Sequence, residues 1–285
     1  MNAPLSALAQ RTIAPELARS WLLVAATRPD TFDEAAASHA DAVVLDVEDA
    51  VDASRKDAAR DDVSRWLHDG GRAWVRINDV TSDHWAADVE QLRAASGLQG
   101  VMLAKTEFGS QVTDTFNRLG GRVPVVALVE SALGIENATE IARAEGAFRL
   151  AFGSGDFRRD TGMSADREAM AYPRARLVIS SRCGELPGPI DGPTVGSSHP
   201  ILRERSATTV SMGMTGKLCL SPDQTPVVNE VISPTRTDVE WAFTFLEDFD
   251  ARGRIVRDGS DLPRLGRARK IVHLAEAFGV HIQGR

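Results

Sequence analysis

Two acidic residues, Glu130 and Asp156, each follow a short apolar run that is typical of a buried strand. The two runs are consecutive in the predicted strand order, and parallel strands place such residues side by side at the carboxyl-terminal rim of a barrel. Two carboxylates with open positions for water suit Mg²⁺, which prefers oxygen ligands. The pair is therefore a candidate Mg²⁺ site. The alternative is that each carboxylate caps the following helix or pairs with an arginine.

Arg76 ends the third predicted strand, in the segment WVRIN. A guanidinium in this position can hold a carboxylate through two hydrogen bonds, which makes Arg76 a candidate substrate-binding residue. The alternative is an ion pair with Glu48 or Asp49.

Lys105 ends the fourth strand and is either a salt-bridge partner or a Schiff-base lysine. A Schiff-base lysine would make the protein a metal-free aldolase.

The acidic step Glu48-Asp49 ends the second strand and could hold metal-bound water, or else stabilise the N-terminus of the helix after Ala53. Gly155, in the segment GSGD, would let a ligand approach the backbone closely. That segment lacks the third glycine of a dinucleotide-binding fingerprint.

The six histidines show no HxH or HExxH spacing, and no GxSxG segment is present, so neither a zinc site nor a serine triad is predicted.

The elements that must position these side chains alternate along the chain. Short β-rich apolar runs alternate with polar-faced segments of helical spacing, which indicates a parallel sheet with crossover helices. Eight runs qualify: residues 21–26, 42–47, 73–77, 100–104, 123–129, 149–152, 189–195 (weakly) and 216–220. Eight strands in about 200 residues fit a closed (β/α)8 TIM barrel of the α/β class, with an open doubly wound sheet as the alternative.

The chain changes character after Leu220, where two helices are predicted near residues 237–251 and 264–278. We therefore expect residues 1–222 to form the TIM-barrel catalytic domain with a short N-terminal extension. Residues 223–285 are expected to form a C-terminal helical extension that covers the barrel or a neighbouring subunit's site.

Composition excludes several classes of protein. The net charge of −7 without a basic block argues against nucleic-acid binding. No run of 18 apolar residues is present, so no membrane segment is expected, and the N-terminus lacks the apolar part of a secretion signal. The two cysteines, Cys183 and Cys219, have no metal-binding spacing and are expected to be reduced in a cytoplasmic protein.

A series of motifs in order along the chain resembles the HpcH/HpaI aldolase and citrate lyase superfamily. The match is closest to citrate lyase beta-subunit-like proteins and malyl-CoA lyases. The motifs are RP at 28–29, VLDVEDAV at 44–51 with Lys56 and Arg60 behind it, VRIN at 75–78, VMLAKTE at 101–107, ALVESALG at 127–134, GSGDF at 153–157, IDGP at 190–193 and GKLCLSP at 216–222.

The resemblance implies a Mg²⁺-dependent TIM-barrel enzyme that makes or breaks a carbon–carbon bond in a 3-hydroxyacyl-CoA. It assigns Glu130 and Asp156 to the metal, with Glu130 also facing substrate, and Arg76 to the substrate oxygens. It places Asp49 near metal-bound water. It also implies a homotrimer in which Asp261 reaches a neighbouring site as acid/base.

One departure from the family motivates a second hypothesis. Relatives often carry basic residues after the first strand that would meet the phosphates of coenzyme A, whereas this chain has Thr31 and Glu34 and keeps Arg28. Gly155 also replaces a frequent glutamate. The alternatives are therefore an aldolase that acts on free 2-oxo-hydroxy acids without coenzyme A, and a non-catalytic subunit of a complex.

Overall fold

Eight parallel strands close into a barrel in the computed structural model, which describes residues 13–196 and 198–282. The strands follow one another around the barrel in chain order, and the last pairs with the first. They are β1 Ser20–Ala25, β2 Ala42–Asp46, β3 Ala73–Ile77, β4 Leu98–Leu103, β5 Val125–Val129, β6 Ala147–Phe152, β7 Ile190–Asp191 and β8 Gly216–Cys219. The predicted TIM barrel is confirmed, and the open sheet is excluded.

Helices follow the strands. They are α1 Phe32–Ala36, α2 Lys56–His68, α3 Trp85–Leu92, α4 Gly109–Arg118, α5 Ala132–Glu136, α6 Ala138–Ala142, α7 Ser154–Thr161, α8 Ala171–Cys183, α9 His199–Ser211, α10 Gln224–Ile232, α11 Arg236–Ala251 and α12 Asp261–Phe278. Within the described residues, no helix is both long and apolar enough to cross a bilayer.

Alternating side chains divide the barrel's apolar residues into two layers, because successive residues of a strand point to opposite faces. Inside the barrel, Trp21 meets Trp74 edge-on with 5.1 Å between ring centroids, and Trp74 stacks on Phe148 at 5.3 Å. Val44 and Leu128 belong to the same inner cluster. The other strand face packs against the helices in a larger outer core. This parity decides which residues at the strand ends face the barrel axis.

The strand predicted over residues 189–195 is shorter than expected and comprises only Ile190–Asp191. Pro193 follows it and cannot donate a backbone hydrogen bond to a neighbouring strand. Helical spacing predicts helices over residues 31–40, 53–68, 82–95, 109–119, 134–144 and 165–181 as well as the two in the C-terminal extension, so α7, α9 and α10 were not predicted. Helix α7 begins at Ser154, inside the glycine-containing segment GSGD.

The chain divides into two compact units. One comprises residues 18–232 and contains the whole barrel with α10. The expected N-terminal extension and the absence of a secretion signal concern mainly residues 1–12, which lie outside the described residues.

The other unit includes α11 and α12, which pack against each other through residues such as Val239, Ala242 and Ile271. Thr235 begins α11 as its cap, accepting a 3.1 Å hydrogen bond from the N–H of Asp238, whose carboxylate accepts one from the Thr235 hydroxyl. Helix α12 begins at Asp261, three residues before the predicted start near residue 264, with Pro263 in its first turn.

Candidate active site

Three charged side chains point to the inner side of the barrel at the ends of their strands, beyond the apolar residues of the interior. Asp46, Arg76 and Glu130 lie two residues after Val44, Trp74 and Leu128, so they share the inward parity of those buried residues. Asp46 and Arg76 are direct partners in the pairing of β2 with β3. Strand register therefore brings acidic and basic groups together at the carboxyl-terminal rim of the barrel.

Arg76 is held from two sides by carboxylates. Its Nε and Nη2 donate to the two oxygens of Asp46 at 2.8 and 2.5 Å, and its Nη1 lies 3.4 Å from Glu48 Oε2. Burial alone would lower the pKa of Arg76, but these carboxylates raise it above its ordinary value. The expected pairing with Glu48 is present, and Asp46 is the stronger partner that sequence reasoning overlooked. Asp46 fixes the plane of the guanidinium and leaves Nη1 as its least engaged end.

Glu130 is a buried carboxylate, 4% exposed. Its Oε1 accepts a 2.8 Å hydrogen bond from the backbone N–H of Lys105, and no basic side chain among the described residues lies within ion-pair distance of it. Burial raises the pKa of Glu130 to about 8; the Lys105 N–H opposes this, and the negative charge of Asp156 adds to it. An added cation at this point would offset the burial of the charge.

Gly153 follows β6 and packs directly against Glu130. A Cβ built on this glycine would lie 2.2 Å from Glu130 Oε2, which is far inside van der Waals contact. Only glycine therefore lets the chain pass the carboxylate at this point. The close approach fixes the position of Glu130 against the start of α7.

Lys105 adopts a left-handed backbone conformation with φ 47°, which is uncommon for residues other than glycine. This turn directs its N–H to Glu130, while its Nζ lies 2.5 Å from Glu48 and 3.3 Å from Asp49. Burial by itself lowers the pKa of Lys105, but the two carboxylates raise it beyond its usual range. The salt-bridge interpretation of Lys105 is thus confirmed, and a cationic lysine is a poor Schiff-base nucleophile.

The two acidic residues that follow β2, Glu48 and Asp49, differ in burial. Glu48 is 2% exposed, and its Oε2 is buried without a hydrogen-bond donor within the described chain. Burial raises the pKa of Glu48. Asp49 is half exposed; burial favours its neutral form, but hydrogen bonds and the charge of Lys105 lower its pKa. Asp52, and not Asp49, caps the following helical turn, through a 2.9 Å hydrogen bond from the Ser54 N–H.

A lysine on α2 fixes the backbone that carries this acidic step. Lys56 Nζ donates to the carbonyl oxygens of Val47 and Glu48 at 3.0 and 2.9 Å, and to Asn78 Oδ1 at 2.6 Å. Asn78 in turn donates its side-chain N–H to Asp88 at 2.6 Å. Lys56 belongs to a motif in the sequence, but the motif does not indicate that its side chain holds the backbone of Val47 and Glu48 at the barrel rim.

Asp156 lies in the first turn of α7. It forms a 2.8 Å ion pair with Arg159, which is one of the alternatives to metal binding. Its side chain is 25% exposed, and its charge acts on Glu130. No group of three or more histidine, cysteine or acidic residues in the described part of the chain forms a metal cluster. Two carboxylates, together with Glu48 Oε2, which accepts no hydrogen bond although Arg76 lies 3.4 Å away, nevertheless fit a Mg²⁺ ion that keeps several waters.

Arg28 and Gly155 are the two other predicted substrate-binding residues. Arg28 is exposed and pairs with Asp30 at 3.3 Å. It lines a cavity of about 290 Å³ together with the end of β1 and with Leu220 and Pro222. Gly155, the second residue of α7, has open space where a side chain would extend.

Asp261 belongs to the unit that contains α11 and α12. It is 4% exposed, and its carboxylate accepts hydrogen bonds from Arg252 at 2.8 and 3.3 Å and from the Arg257 N–H at 2.8 Å. The Arg252 hydrogen bond is the main cause of the lowered pKa of Asp261. Within its own unit, Asp261 therefore holds the loop before α12.

The barrel and the unit with α11 and α12 correspond to two known family models. The HpcH/HpaI aldolase/citrate lyase model matches residues 19–222, and the HpcH/HpaI aldolase C-terminal domain model matches residues 237–279. The chain therefore belongs to the HpcH/HpaI aldolase/citrate lyase family.

Similar proteins include lyases and lyase-like proteins. A citrate lyase subunit beta-like protein of Mycobacterium tuberculosis is 33% identical over 236 residues, covering 78% of this chain and 81% of its own. An L-malyl-CoA/beta-methylmalyl-CoA lyase of Cereibacter sphaeroides is 28% identical over 90% of this chain and 94% of its own. Protein CitE of M. tuberculosis, solved with magnesium, acetoacetate and coenzyme A, has a TM-score of 0.78 at 28% identity, covering 92% of this chain and 99% of its own.

Proposed function

We propose that this protein is a Mg²⁺-dependent carbon–carbon lyase that cleaves or forms a 3-hydroxyacyl-CoA of the malyl-, citramalyl- or citryl-CoA type. The observation that carries the proposal is a buried carboxylate, Glu130, without a cationic partner among the described side chains, beside the charges of Asp156 and Arg76. The named lyases among its relatives support this chemistry. Magnesium and coenzyme A in the related M. tuberculosis structure support the ligands.

Glu130 and Asp156 are the residues that would hold Mg²⁺, with Glu48 accepting a hydrogen bond from an ordered water. The ion would supply positive charge where the carbonyl oxygens of a substrate gain negative charge during cleavage. The buried Glu130 offers an oxygen ligand whose position is fixed by the Lys105 N–H and by Gly153. Asp156 would exchange its exposed partner Arg159 for the ion.

Arg76 would bind the carboxylate or acyl oxygen of the substrate through Nη1. Asp46 already fixes its other nitrogens, so little side-chain freedom would be lost on binding. The guanidinium also places a permanent positive charge where an enolate develops. Its raised pKa keeps it charged throughout the working range.

Cleavage requires two proton movements. A base removes the proton from the 3-hydroxyl group, the C2–C3 bond breaks, and its electron pair passes into the thioester enolate as C3 becomes a carbonyl carbon. An acid then protonates C2 of the enolate. We assign the acid/base role to Asp261 of a neighbouring protomer in a homotrimer, which would require its carboxylate to leave Arg252, and we place Asp49 near the ordered water.

The acyl-CoA would lie along the first strand's rim, with Arg28 near its phosphates. A second candidate, an aldolase that acts on free 2-oxo acids without coenzyme A, is favoured by the lone and exposed Arg28–Asp30 pair at the cavity. Titration of coenzyme A by calorimetry separates the two. Micromolar binding supports the acyl-CoA lyase, and its absence together with cleavage of a free oxo-hydroxy acid supports the alternative.

A crystal soaked with Mg²⁺ and oxaloacetate, pyruvate or glyoxylate tests the site itself. We expect density that joins Glu130, Asp156 and Arg76. Density at another part of the barrel would contradict the site. Purified protein that turns over no substrate would instead favour a non-catalytic subunit of a complex.

A further inference from the structure

A second charged cavity lies among β8, α7, α8 and α9, and its lining includes none of the residues assigned to the metal or to substrate. Its volume is about 270 Å³. Each of these four elements contributes one cation: Lys217, Arg158, Arg174 and Arg205 respectively. Convergence of four basic side chains is unusual in a protein whose net charge is −7.

One buried carboxylate lies beneath these cations. Asp191, in β7, is fully buried and pairs with Arg174 Nε at 2.9 Å and with Lys217 Nζ at 3.6 Å. Two further donors, the Thr209 hydroxyl at 2.6 Å and the Gly192 N–H at 2.9 Å, complete its surroundings. This carboxylate therefore pairs with two of the four cations, Arg174 and Lys217.

Arg174 has donors left over. Its side chain is 10% exposed, and its one hydrogen bond within the described chain is the Nε contact with Asp191. Its two terminal nitrogens therefore remain available at the cavity. These nitrogens are not among the fully buried polar atoms, so an acceptor in the cavity can reach them.

Two further arginines line the same cavity without a carboxylate partner in the described residues. Arg158 Nε donates to the Ser154 carbonyl oxygen at 3.2 Å, and Arg205 Nη1 approaches the Ala165 carbonyl oxygen at 3.4 Å. Neither arginine forms an ion pair there, unlike Arg203, which lies on the same helix as Arg205 and pairs with Glu230.

Lys217 is 1% exposed and donates to the Gly192 carbonyl oxygen at 2.7 Å. Burial lowers the pKa of Lys217; the charge of Asp191 opposes this, and that of Arg174 adds to it. An oxyanion in the cavity would relieve the repulsion between the two cations.

We propose that this cavity is an anion-binding site, separate from the metal site, that takes a phosphate group, either as inorganic phosphate or as the head of a small phosphate ester. Guanidinium groups hold two phosphate oxygens at once, and several cations together match a doubly charged oxyanion. Met170, Val195 and Ile201 also line the cavity and provide apolar contacts for the organic part of an ester.

The test is calorimetric titration of the full-length protein with inorganic phosphate and, separately, with glycerol 3-phosphate. We expect both to bind, and tighter binding of the ester identifies an organic phosphate as the ligand. Arg158→Gln and Arg205→Gln, which leave the Asp191 cluster intact, should each weaken phosphate binding by roughly tenfold. Arg203→Gln is the matched control and should leave affinity unchanged within about twofold.

The variant Arg76→Gln distinguishes this cavity from the metal site. Phosphate binding that survives Arg76→Gln and is lost in the Arg158→Gln/Arg205→Gln double variant supports the proposal, provided that thermal melts show the double variant to be folded. No binding of either compound, or binding that is lost with Arg76→Gln and retained in the folded double variant, overturns it.

Discussion

Arg76 is the clearest case of a side chain whose chemistry depends on its neighbours. Asp46 holds two of its nitrogens, and Nη1 is the end left for a ligand. A lysine carries the same charge but has no planar fork with which to bind Asp46 and a substrate oxygen at once.

We therefore predict that Arg76→Lys lowers kcat/KM by roughly a hundredfold while the barrel remains folded. Steady-state kinetics and a thermal melt measure the two effects. Arg65→Lys, an exposed arginine paired with Asp62, is the control and should change neither. If Arg76→Lys keeps the wild-type kcat/KM, the planar guanidinium group of Arg76 has no part in catalysis.

The raised pKa of Glu130 leads to a prediction about how Mg²⁺ affinity depends on pH. Because burial raises its pKa to about 8, the carboxyl is largely protonated at pH 6.5 in the metal-free protein, and Mg²⁺ must displace that proton. The apparent Mg²⁺ affinity should rise as pH increases toward about 8 and level off above it. Calorimetry at pH 6.5, 7.5 and 8.5 measures the trend. Equal affinity at all three values contradicts the assignment of Glu130.

Helix α7 begins immediately after Gly153, and this junction is the element that joins the two predicted metal ligands. The glycine lets the end of β6 pass Glu130, and Asp156 follows in the first turn of the helix. The position of Glu130 depends on the missing side chain at residue 153.

We predict that Gly153→Ala weakens Mg²⁺ binding by at least about tenfold, because its Cβ would displace Glu130 Oε2. Gly155→Ala, two residues along, is the matched control for Mg²⁺ affinity and melting temperature, since open space surrounds its Cβ position. Calorimetry and thermal melts compare the two. Equal Mg²⁺ affinity in both variants would mean that the close contact with Glu130 does not matter.

Much of this element-level arrangement follows from the sequence pattern. Apolar runs predict the strands that carry Arg76 and Glu130, and the position of both residues at strand ends predicts that they share one rim of the barrel. The contact of Gly153 with Glu130 and the bridge from Lys105 to Glu48 join residues far apart in sequence. They arise from barrel closure and strand register, which periodicity does not specify.

The missed helices have a related cause. Helix α9 carries exposed apolar residues, Ile201 and Val210, as well as the buried Leu202, so its sequence shows no single apolar face. Helix α7 begins in the segment GSGD, whose two glycines are poor helix formers, so the local pattern does not indicate a helix there. In both cases tertiary packing, and not local pattern, decides the structure.

At the scale of the whole molecule, the proposal is that Asp261 completes the active site of a neighbouring protomer. Arg252 holds its carboxylate within the C-terminal unit, and the proposed catalytic role places that carboxylate in the site of a second protomer. If the site is shared head-to-tail around a ring, it needs Glu130 from one protomer and Asp261 from the next.

Two inactive variants, Glu130→Gln and Asp261→Asn, test this sharing when they are unfolded and refolded together. A randomly mixed ring should regain roughly one quarter of wild-type activity, because one site in four combines both intact residues. Each variant refolded alone is the control and should stay inactive. No recovery in a mixture that forms hybrid rings would mean that Asp261 does not act across the interface.

The measurement that most directly tests the central proposal is turnover of malyl-, citramalyl- and citryl-CoA by the purified protein, before and after removal of metal by EDTA. We predict cleavage of at least one of these thioesters, its loss on chelation, its recovery with Mg²⁺, and no recovery in Glu130→Gln. Cleavage at an unchanged rate in the metal-stripped protein, or in Glu130→Gln, would contradict a magnesium lyase built on this barrel rim.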